Sequence, residues 1–333
     1  MNSLCLAPYA HREGWRAPPS SQPERELAMI EAKHLTRRYG DFTAVEDVTF
    51  SIARGSIVGL LGHNGAGKST IMKMLTGALE PTSGTVTIDG LGHEAHGKAL
   101  RARLGYLPEN CPLWPDMTVL ETLAYSAALH GLSEAAQPDA LARAIDATDL
   151  GAKLHAVVGT LSRGYRQRLG VACAILHRPD LIILDEPTNG LDPTQILQMR
   201  SLIQRLAEDA TVLVSTHILQ EVQAVCERVL IMRQGRLALD SALSTLAQAP
   251  TLALRTGQAA HAVLTPFGDL DEDPAQPFSY RLTLAEGDSE GQAAAVASAL
   301  AAAAIPLYAM TPERQDLETL FARVTQEGGA HHG

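Results

Sequence analysis

The sequence predicts an α/β fold built on a parallel sheet with crossover helices, followed by a smaller α+β unit. Three observations carry the prediction. Apolar runs of β-formers at 57–61, 181–184 and 211–215 are separated by helical stretches, the alternation that parallel strands joined by helices require. The chain has 333 residues, enough for about two domains. Near Asp240 the composition changes: residues 241–333 contain no lysine, four arginines and eleven acidic residues, and hold seven of the ten net negative charges.

Residues 1–28 contain proline and mixed charge and lack the apolar stretch of a secretory signal, so a disordered extension, originating from an upstream start codon, is expected there. Ordered sequence is expected from Met29. Residues 29–60 read as strands, with Thr49, Phe50 and Ile52 followed, after Gly55, by Ile57, Val58, Leu60 and Leu61. A helix is expected after Lys68, a turn at Pro81–Gly84 and a short strand at Thr85–Asp89. Residues 98 to about 177 read as mainly helical. One helix there is well marked: Thr118 and Glu121 form a capping-box pair, and Leu120, Leu123, Ala124 and Ala127 share a face.

In the last third, Tyr280, Leu282 and Leu284 alternate as on a half-buried strand. Leu317, Leu320, Phe321 and Val324 form a helical stripe, with Thr311 expected as its N-cap and Pro312 at the first helical position. No chemistry-bearing motif occurs in this part. A dimerising, partner-docking or regulatory role, or that of a passive stabilising appendage, is open to it.

Composition narrows the classes. Glycine and proline are near average usage and charged residues are 19%, which excludes collagen-like and largely disordered chains. The longest apolar stretch, Ala293 to Ile305, falls short of the ~20 residues that span a bilayer, so the chain is not expected to cross a membrane by itself. A net charge of −10 argues against broad electrostatic binding to nucleic acid or anionic lipid. The cysteines, Cys5, Cys111, Cys173 and Cys226, have neither metal nor disulfide spacing and read as reduced cytosolic thiols.

Three motifs carry chemistry. Gly62-His63-Asn64-Gly65-Ala66-Gly67-Lys68-Ser69-Thr70 matches G-x-x-x-x-G-K-S/T, with a strand before it and a helix after it. Glycines let backbone N–H groups curl around phosphate oxygens, and the helix N-terminus adds donors. Lys68 suits the β- and γ-phosphates of ATP, the Ser69 hydroxyl a Mg²⁺ ion, and Thr70 the α-phosphate. The second motif is the apolar run 181–184, which ends in Asp185 and Glu186. Paired carboxylates at a buried strand end call for a cation, so Asp185 is expected to join Ser69 on Mg²⁺ and Glu186 to polarise a water at the γ-phosphate. The third, Leu161-Ser162-Arg163-Gly164, opens a helix expected to run to about His177. Ser162 and the Gly164 N–H make a second anion site there.

Together these motifs resemble the ATP-binding cassette (ABC) ATPases over residues 29–240, about two-thirds of the chain. The phrases YLPEN, LSRGYRQRLG, LDEPTNGLDPTQ and STHILQEVQAVCERV resemble the gliding-motility-type, ABC-2-like branch of multidrug exporter ATPases. The resemblance implies a P-loop ABC ATPase core made of a parallel sheet with helices, an antiparallel β subdomain and a helical subdomain (about 98–177), with 241–333 as a C-terminal accessory domain. It implies that 161–164 close over ATP held by a second copy in a head-to-tail homodimer. Asp192 falls at the D-loop, His217 at the switch histidine that contacts the γ-phosphate, and Tyr39, 23 residues before Gly62, at the aromatic that stacks on adenine. A core tyrosine is the lesser alternative for Tyr39. Glu109 stands where most of the family has the Q-loop glutamine, and Arg163 and Tyr165 replace a Gly and a Gln of the signature.

The implied role is the hydrolytic motor of a transporter, peripheral at the cytoplasmic face of the inner membrane. It would drive a separate transmembrane permease, as part of an exporter by family resemblance, with no nucleic-acid partner. The docking face is expected around Glu109–Glu121, including Trp114. A soluble ABC ATPase acting on DNA or ribosomes is the alternative; the long coiled coils or paired cassettes usual in those proteins are missing from this sequence.

Overall fold

The computed structural model describes residues 28–246, 250–272, 276–284 and 289–314. The extension expected over 1–28 lies outside the described residues as far as residue 27, and the first strand opens at Ala28.

The chain begins with a hairpin, β1 (Ala28–Tyr39) and β2 (Phe42–Ala53), then β3 (Ile57–Leu61) and α1 (Lys68–Leu75). After β4 (Ser83–Ile88), β5 (Leu91–Gly92) and α2 (His93–Arg101) comes β6 (Leu104–Leu107). Three helices follow, α3 (Val119–Leu129), α4 (Gln137–Ala147) and α5 (Arg163–Ile175). The chain then runs through β7 (Leu181–Asp185), α6 (Pro193–Ala207), β8 (Thr211–Thr216) and α7 (Leu219–Val225), and returns in the hairpin β9 (Arg228–Arg233) and β10 (Arg236–Ala242). The last part holds α8 (Leu243–Leu246), β11 (Pro250–Thr256), α9 (His261–Leu264), β12 (Gly268–Glu272), β13 (Ser279–Leu284), α10 (Ser289–Ala302) and β14 (Leu307–Arg314).

The central sheet has the order β10-β9-β3-β8-β7-β6, parallel from β9 through β6 and closed at one edge by antiparallel β10. Every residue of β3, β7 and β8 is buried, because both faces of the sheet are covered. Alternation decides which cover each residue meets. Leu213, Leu181 and Ile183 join the core under the antiparallel sheet β2-β1-β4-β5 and α1. Val212, Val214, Ile182 and Leu184 join the core of α6, with Met199, Leu202 and Ile203.

One expectation is refined and one is corrected. The stretch 98–177 is mainly helical, as expected, and β6 adds to it a strand that pairs in parallel with β7, Leu107 opposite Leu184. Four residues are too few to show a period, and Leu104 and Leu107 are buried by sheet pairing rather than by a helical face. Thr311 and Pro312 do not open a helix. They lie in β14, where Pro312 pairs with Leu252. β14 is the edge of the sheet β12-β13-β11-β14, the position where a residue without an N–H costs no ladder bond. The stripe at 317–324 lies outside the described residues.

Elsewhere the local chemistry is as read. Thr118 and Glu121 cap α3 reciprocally, though Val119, Thr122, Leu123 and Ala127 are its buried positions, with Leu120 and Ala124 only half-buried. Tyr280, Leu282 and Leu284 point into a separate core with Val296 and Leu300 of α10. Among the described residues, no helix is long and apolar enough to cross a membrane.

Where α3 and α5 end, His130 and His177 stack with ring centroids 3.9 Å apart. His177 Nε2 donates to the Leu104 carbonyl at 3.1 Å, tying the stack to β6. Burial lowers the pKa of both imidazoles, and His130 adds to the effect on His177, which is pushed down to about 4. The unfolded chain therefore takes up protons that the folded chain refuses between about pH 6.5 and 4, and stability is lost as pH falls through that window. Denaturant titrations from pH 7 to pH 4 should show this loss, and His177→Gln should reduce its slope.

Candidate active site

Strand order builds the site. β8 lies between β3 and β7, with Leu61 opposite Thr216 and Asp185 opposite Ser215, so the three carboxyl ends open side by side. In a parallel sheet this is where ligands bind. The loop after β3 leads into Lys68 at the start of α1, the loop after β7 carries Glu186 and the loop after β8 His217. β6 adds Glu109 from the neighbouring edge. A cleft of about 430 Å³ results, lined among others by Gly67, Lys68, Ser69, Thr70, Glu186 and His217.

The loop 62–67 is wrapped onto its own lysine. Lys68 Nζ donates to the Gly62 carbonyl at 2.7 Å and to the His63 carbonyl at 3.4 Å. Gly67 caps α1 at φ +102°, where a Cβ would lie 2.7 Å from the Ala44 carbonyl oxygen, so only glycine lets the loop pass the β1–β2 hairpin. The Ala66 carbonyl accepts from Gly235 N–H at 3.0 Å, bracing the loop against the β9–β10 turn. Asn64 and Gly65 line the cleft beside Ser69 and Thr70.

Glu186 faces this cradle. Its Oε1 lies 3.4 Å from Lys68 Nζ, with the two side chains only 6% and 5% exposed, and its Oε2 accepts from His217 Nδ1–H at 2.9 Å. Its backbone turns to φ +50°, an unfavourable region for a side-chain-bearing residue, and its N–H donates to the Ser215 carbonyl at 3.1 Å. Asp185, buried one residue earlier, accepts from the Ser215 hydroxyl. Burial, with the Asp185 charge added, pushes the neighbouring Tyr106 phenol up to about 12.

Asp185 and Ser69 are hard oxygen donors of the kind Mg²⁺ takes, and a magnesium ion that keeps phosphate and water ligands needs only one or two such groups from protein. Among the described residues there is no cluster of three or more His, Cys, Asp or Glu suited to a metal. Of the described cysteines, the Cys111 and Cys226 thiols are pushed up to about 12 and that of Cys173 to about 11, chiefly by burial. Cys5 lies outside the described residues.

Other sequence candidates stand apart from the cleft. Tyr39, at the end of β1, stacks under the Arg37 guanidinium at 4.6 Å and does not line the cleft; Phe42, across the Gly40-Asp41 turn, does. Nothing in the sequence distinguishes which aromatic of that hairpin faces inward. Leu161, Ser162, Arg163 and Gly164 also lie away from the cleft of their own chain. Leu161 is buried in the helical core, and Ser162 caps α5 by accepting from Tyr165 N–H at 3.4 Å. Asp192 caps α6, accepting from Gln195 N–H at 2.9 Å.

Two close approaches join these helix starts. The Arg163 guanidinium lies on Gly190, where a Cβ would meet its Cζ at 2.7 Å, and Gln195 covers Gly164, where a Cβ would meet its Oε1 at 2.6 Å.

A second concavity, of about 590 Å³, lies beside the helical part. Trp114 at 59% exposure, Tyr125 at 46% and Leu129 at 70% rim it, over Tyr106 and Leu113. Trp114 thus stands out from the helical core rather than inside it.

The ABC transporter family profile matches residues 45–189. The chain is similar to the probable multidrug ABC transporter ATP-binding protein YbhF of Escherichia coli, 40% identical over 211 residues, 63% of this chain and 36% of YbhF, so it spans about a third of that relative. It is similar to the uncharacterized ABC transporter ATP-binding protein YdbJ of Bacillus subtilis, 32% identical over 311 residues, 89% of this chain and 95% of YdbJ. Its fold is similar to the dimeric bacterial ABC transporter cassette MJ0796, with a TM-score of 0.59 and 26% identity over 65% of this chain and 99% of that one.

Gly190, at φ +71° and under the Arg163 guanidinium, should tolerate no side chain. Gly190→Ala is expected to cost about 1–2 kcal/mol from the left-handed backbone alone, read as a lower urea midpoint, with more from displacing Arg163.

Proposed function

The chain belongs to the family of ABC transporter ATP-binding proteins, and from that premise we propose that it is the ATP-hydrolysing motor of a transporter, working as a head-to-tail homodimer. The observation that carries the reading is Glu186, buried and held between Lys68 and His217 at the mouth of the phosphate loop.

The chemistry follows from these groups. Lys68 is satisfied by the Gly62 carbonyl and by Glu186. Phosphate oxygens of ATP compete for that ammonium with greater charge, and N–H groups of the loop and of α1 complete their cradle. Transfer of the ammonium to phosphate releases Glu186 Oε1, which accepts a hydrogen bond from a water and orients it toward the γ-phosphate; as the water oxygen bonds to the γ-phosphorus its proton passes to Glu186 and the bond to the ADP oxygen breaks. His217 holds the other oxygen, fixing the direction of the carboxylate. Ser69 and Asp185 would hold Mg²⁺, which when bound neutralises charge between the phosphates. Tyr39 or Phe42 supplies an aromatic face for adenine.

Within one chain, Ser162 and the Gly164 N–H face no phosphate. A second copy turned head to tail would supply one, and the dimeric form of the MJ0796 cassette supports a dimer. Asp192, clasped to the same helix start, would travel with it. We read 29–240 as the ATP-binding unit and 241–333 as an accessory unit. The groove rimmed by Trp114, Tyr125 and Leu129 suits an apolar helix of a separate membrane permease, which would hold the chain at the cytoplasmic face of the membrane. The multidrug name of YbhF supports an exporter.

Lys68→Ala should abolish ATP binding measured by calorimetry. Glu186→Gln should bind ATP, lose hydrolysis by about 100-fold or more, and accumulate as a dimer in size-exclusion chromatography; a strictly monomeric variant at saturating ATP would refute the motor reading. Trp114→Ala should keep hydrolysis and weaken recovery of the chain with its membrane fraction.

A further inference from the structure

Behind the cleft, between β8, α6 and α7, lies a cavity of about 10 Å³, room for the centre of one water molecule. Its walls include Thr188, two residues past Glu186; Arg200 of α6; Thr216, which ends β8; and Glu221 in the first turn of α7. The remaining lining is mostly apolar, from Ile203, Val214 and Val222.

Three polar atoms around this cavity are buried without a hydrogen-bond partner among the described residues: Glu221 Oε1, Thr188 Oγ1 and Arg200 Nε. Each would be costly to leave orphaned, and three from different elements meeting at one cavity is not an accident of a single rotamer. Arg200 and Glu221 form no ion pair across it; the Arg200 guanidinium reaches instead to the Gln220 carbonyl.

The chemistry selects the occupant. Arg200 Nε–H only donates, a carboxylate oxygen only accepts, and a hydroxyl does either. A cation is opposed by Arg200 and an anion by Glu221, and the volume admits nothing larger than water. We propose that one water molecule is bound here, accepting from Arg200 Nε–H, donating to Glu221 Oε1 and bonding the Thr188 hydroxyl.

This water gives Glu221 and Thr188 a positioning role, an extension that rests on the functional reading of Glu186 and His217. Glu221 Oε2 accepts from Thr216 Oγ1–H at 2.8 Å, and Thr216 Oγ1 in turn accepts from Ile218 N–H at 3.1 Å. Those two bonds bracket His217. The water extends the network to Thr188 and so fixes the His217 turn against the loop that carries Glu186.

A crystal structure of the full chain tests the site: one water peak within hydrogen-bonding reach of all three atoms is expected, and an empty cavity or a direct Arg200–Glu221 contact overturns it. Thr188→Val keeps the shape and removes the hydroxyl. It should lose the peak and lower kcat between about two- and tenfold, the rate equivalent of one hydrogen bond, at unchanged KM for ATP, with Thr188→Ser restoring both. Unchanged kcat in Thr188→Val overturns the positioning role. Wild-type protein that hydrolyses no ATP would instead refute the motor reading, while the density still decides the water.

Discussion

The structure depends on one buried pairing: the Lys68 ammonium, wrapped by the carbonyls of its own loop and set against Glu186. Neither group is stable alone in so enclosed a place, since a buried charge that loses its partner is strongly destabilising. The pairing exists only because β3 and β7 flank β8, which brings two loops separated by more than a hundred residues of sequence to one edge of the sheet. The antiparallel sheet, α1 and α6 are then the covers that keep those three strands dry on both faces. A site held this way is poised rather than relaxed, because the lysine has a better partner in a phosphate than in the carboxylate it now faces.

Much of this was legible in the sequence because chemistry and geometry coincide there. The spacing from Gly62 to Thr70 requires a turn of backbone donors ahead of a helix, and Asp185 and Glu186 terminate a run too apolar to be anything but buried strand. What was not legible follows from contacts between distant segments. β6 is four residues long, and only its pairing with β7 makes it a strand. Thr311 and Pro312 carry good helix-start chemistry, yet a sheet edge accepts the same residues. Phe42 and Tyr39 straddle one tight turn, and which ring meets the cleft depends on the register of the hairpin rather than on residue type.

The signature loop raises a different point. Arginine at the first position of α5 opposes the positive end of the helix dipole, and the first turn has no acidic residue to offset it. The Arg163 guanidinium is accommodated by lying on the bare backbone of Gly190, while Gln195, whose own N–H is held by Asp192, covers Gly164. The two helix starts are therefore fastened at two places by residues that each need a glycine opposite. On the proposed dimer, the signature and the D-loop would approach the partner's ATP as one body.

Glu109 connects the two concavities. It lines the cleft beside Glu186, and the chain that follows it, through Cys111, Leu113 and Trp114, forms a wall of the apolar groove. A glutamine in that place would add a dipole; the carboxylate adds a charge to a cleft that already contains Glu186 and borders Asp185. Lys68 faces Glu186 rather than Glu109. Bound magnesium and phosphate would change the charge that Glu109 meets. The loop that carries Glu109 would respond to that change more strongly than with an uncharged side chain, and it leads to Trp114 at the rim of the groove. On the function proposed above, a carboxylate in this place would make the link between cleft and groove more electrostatic, and more sensitive to ionic strength, than an amide would.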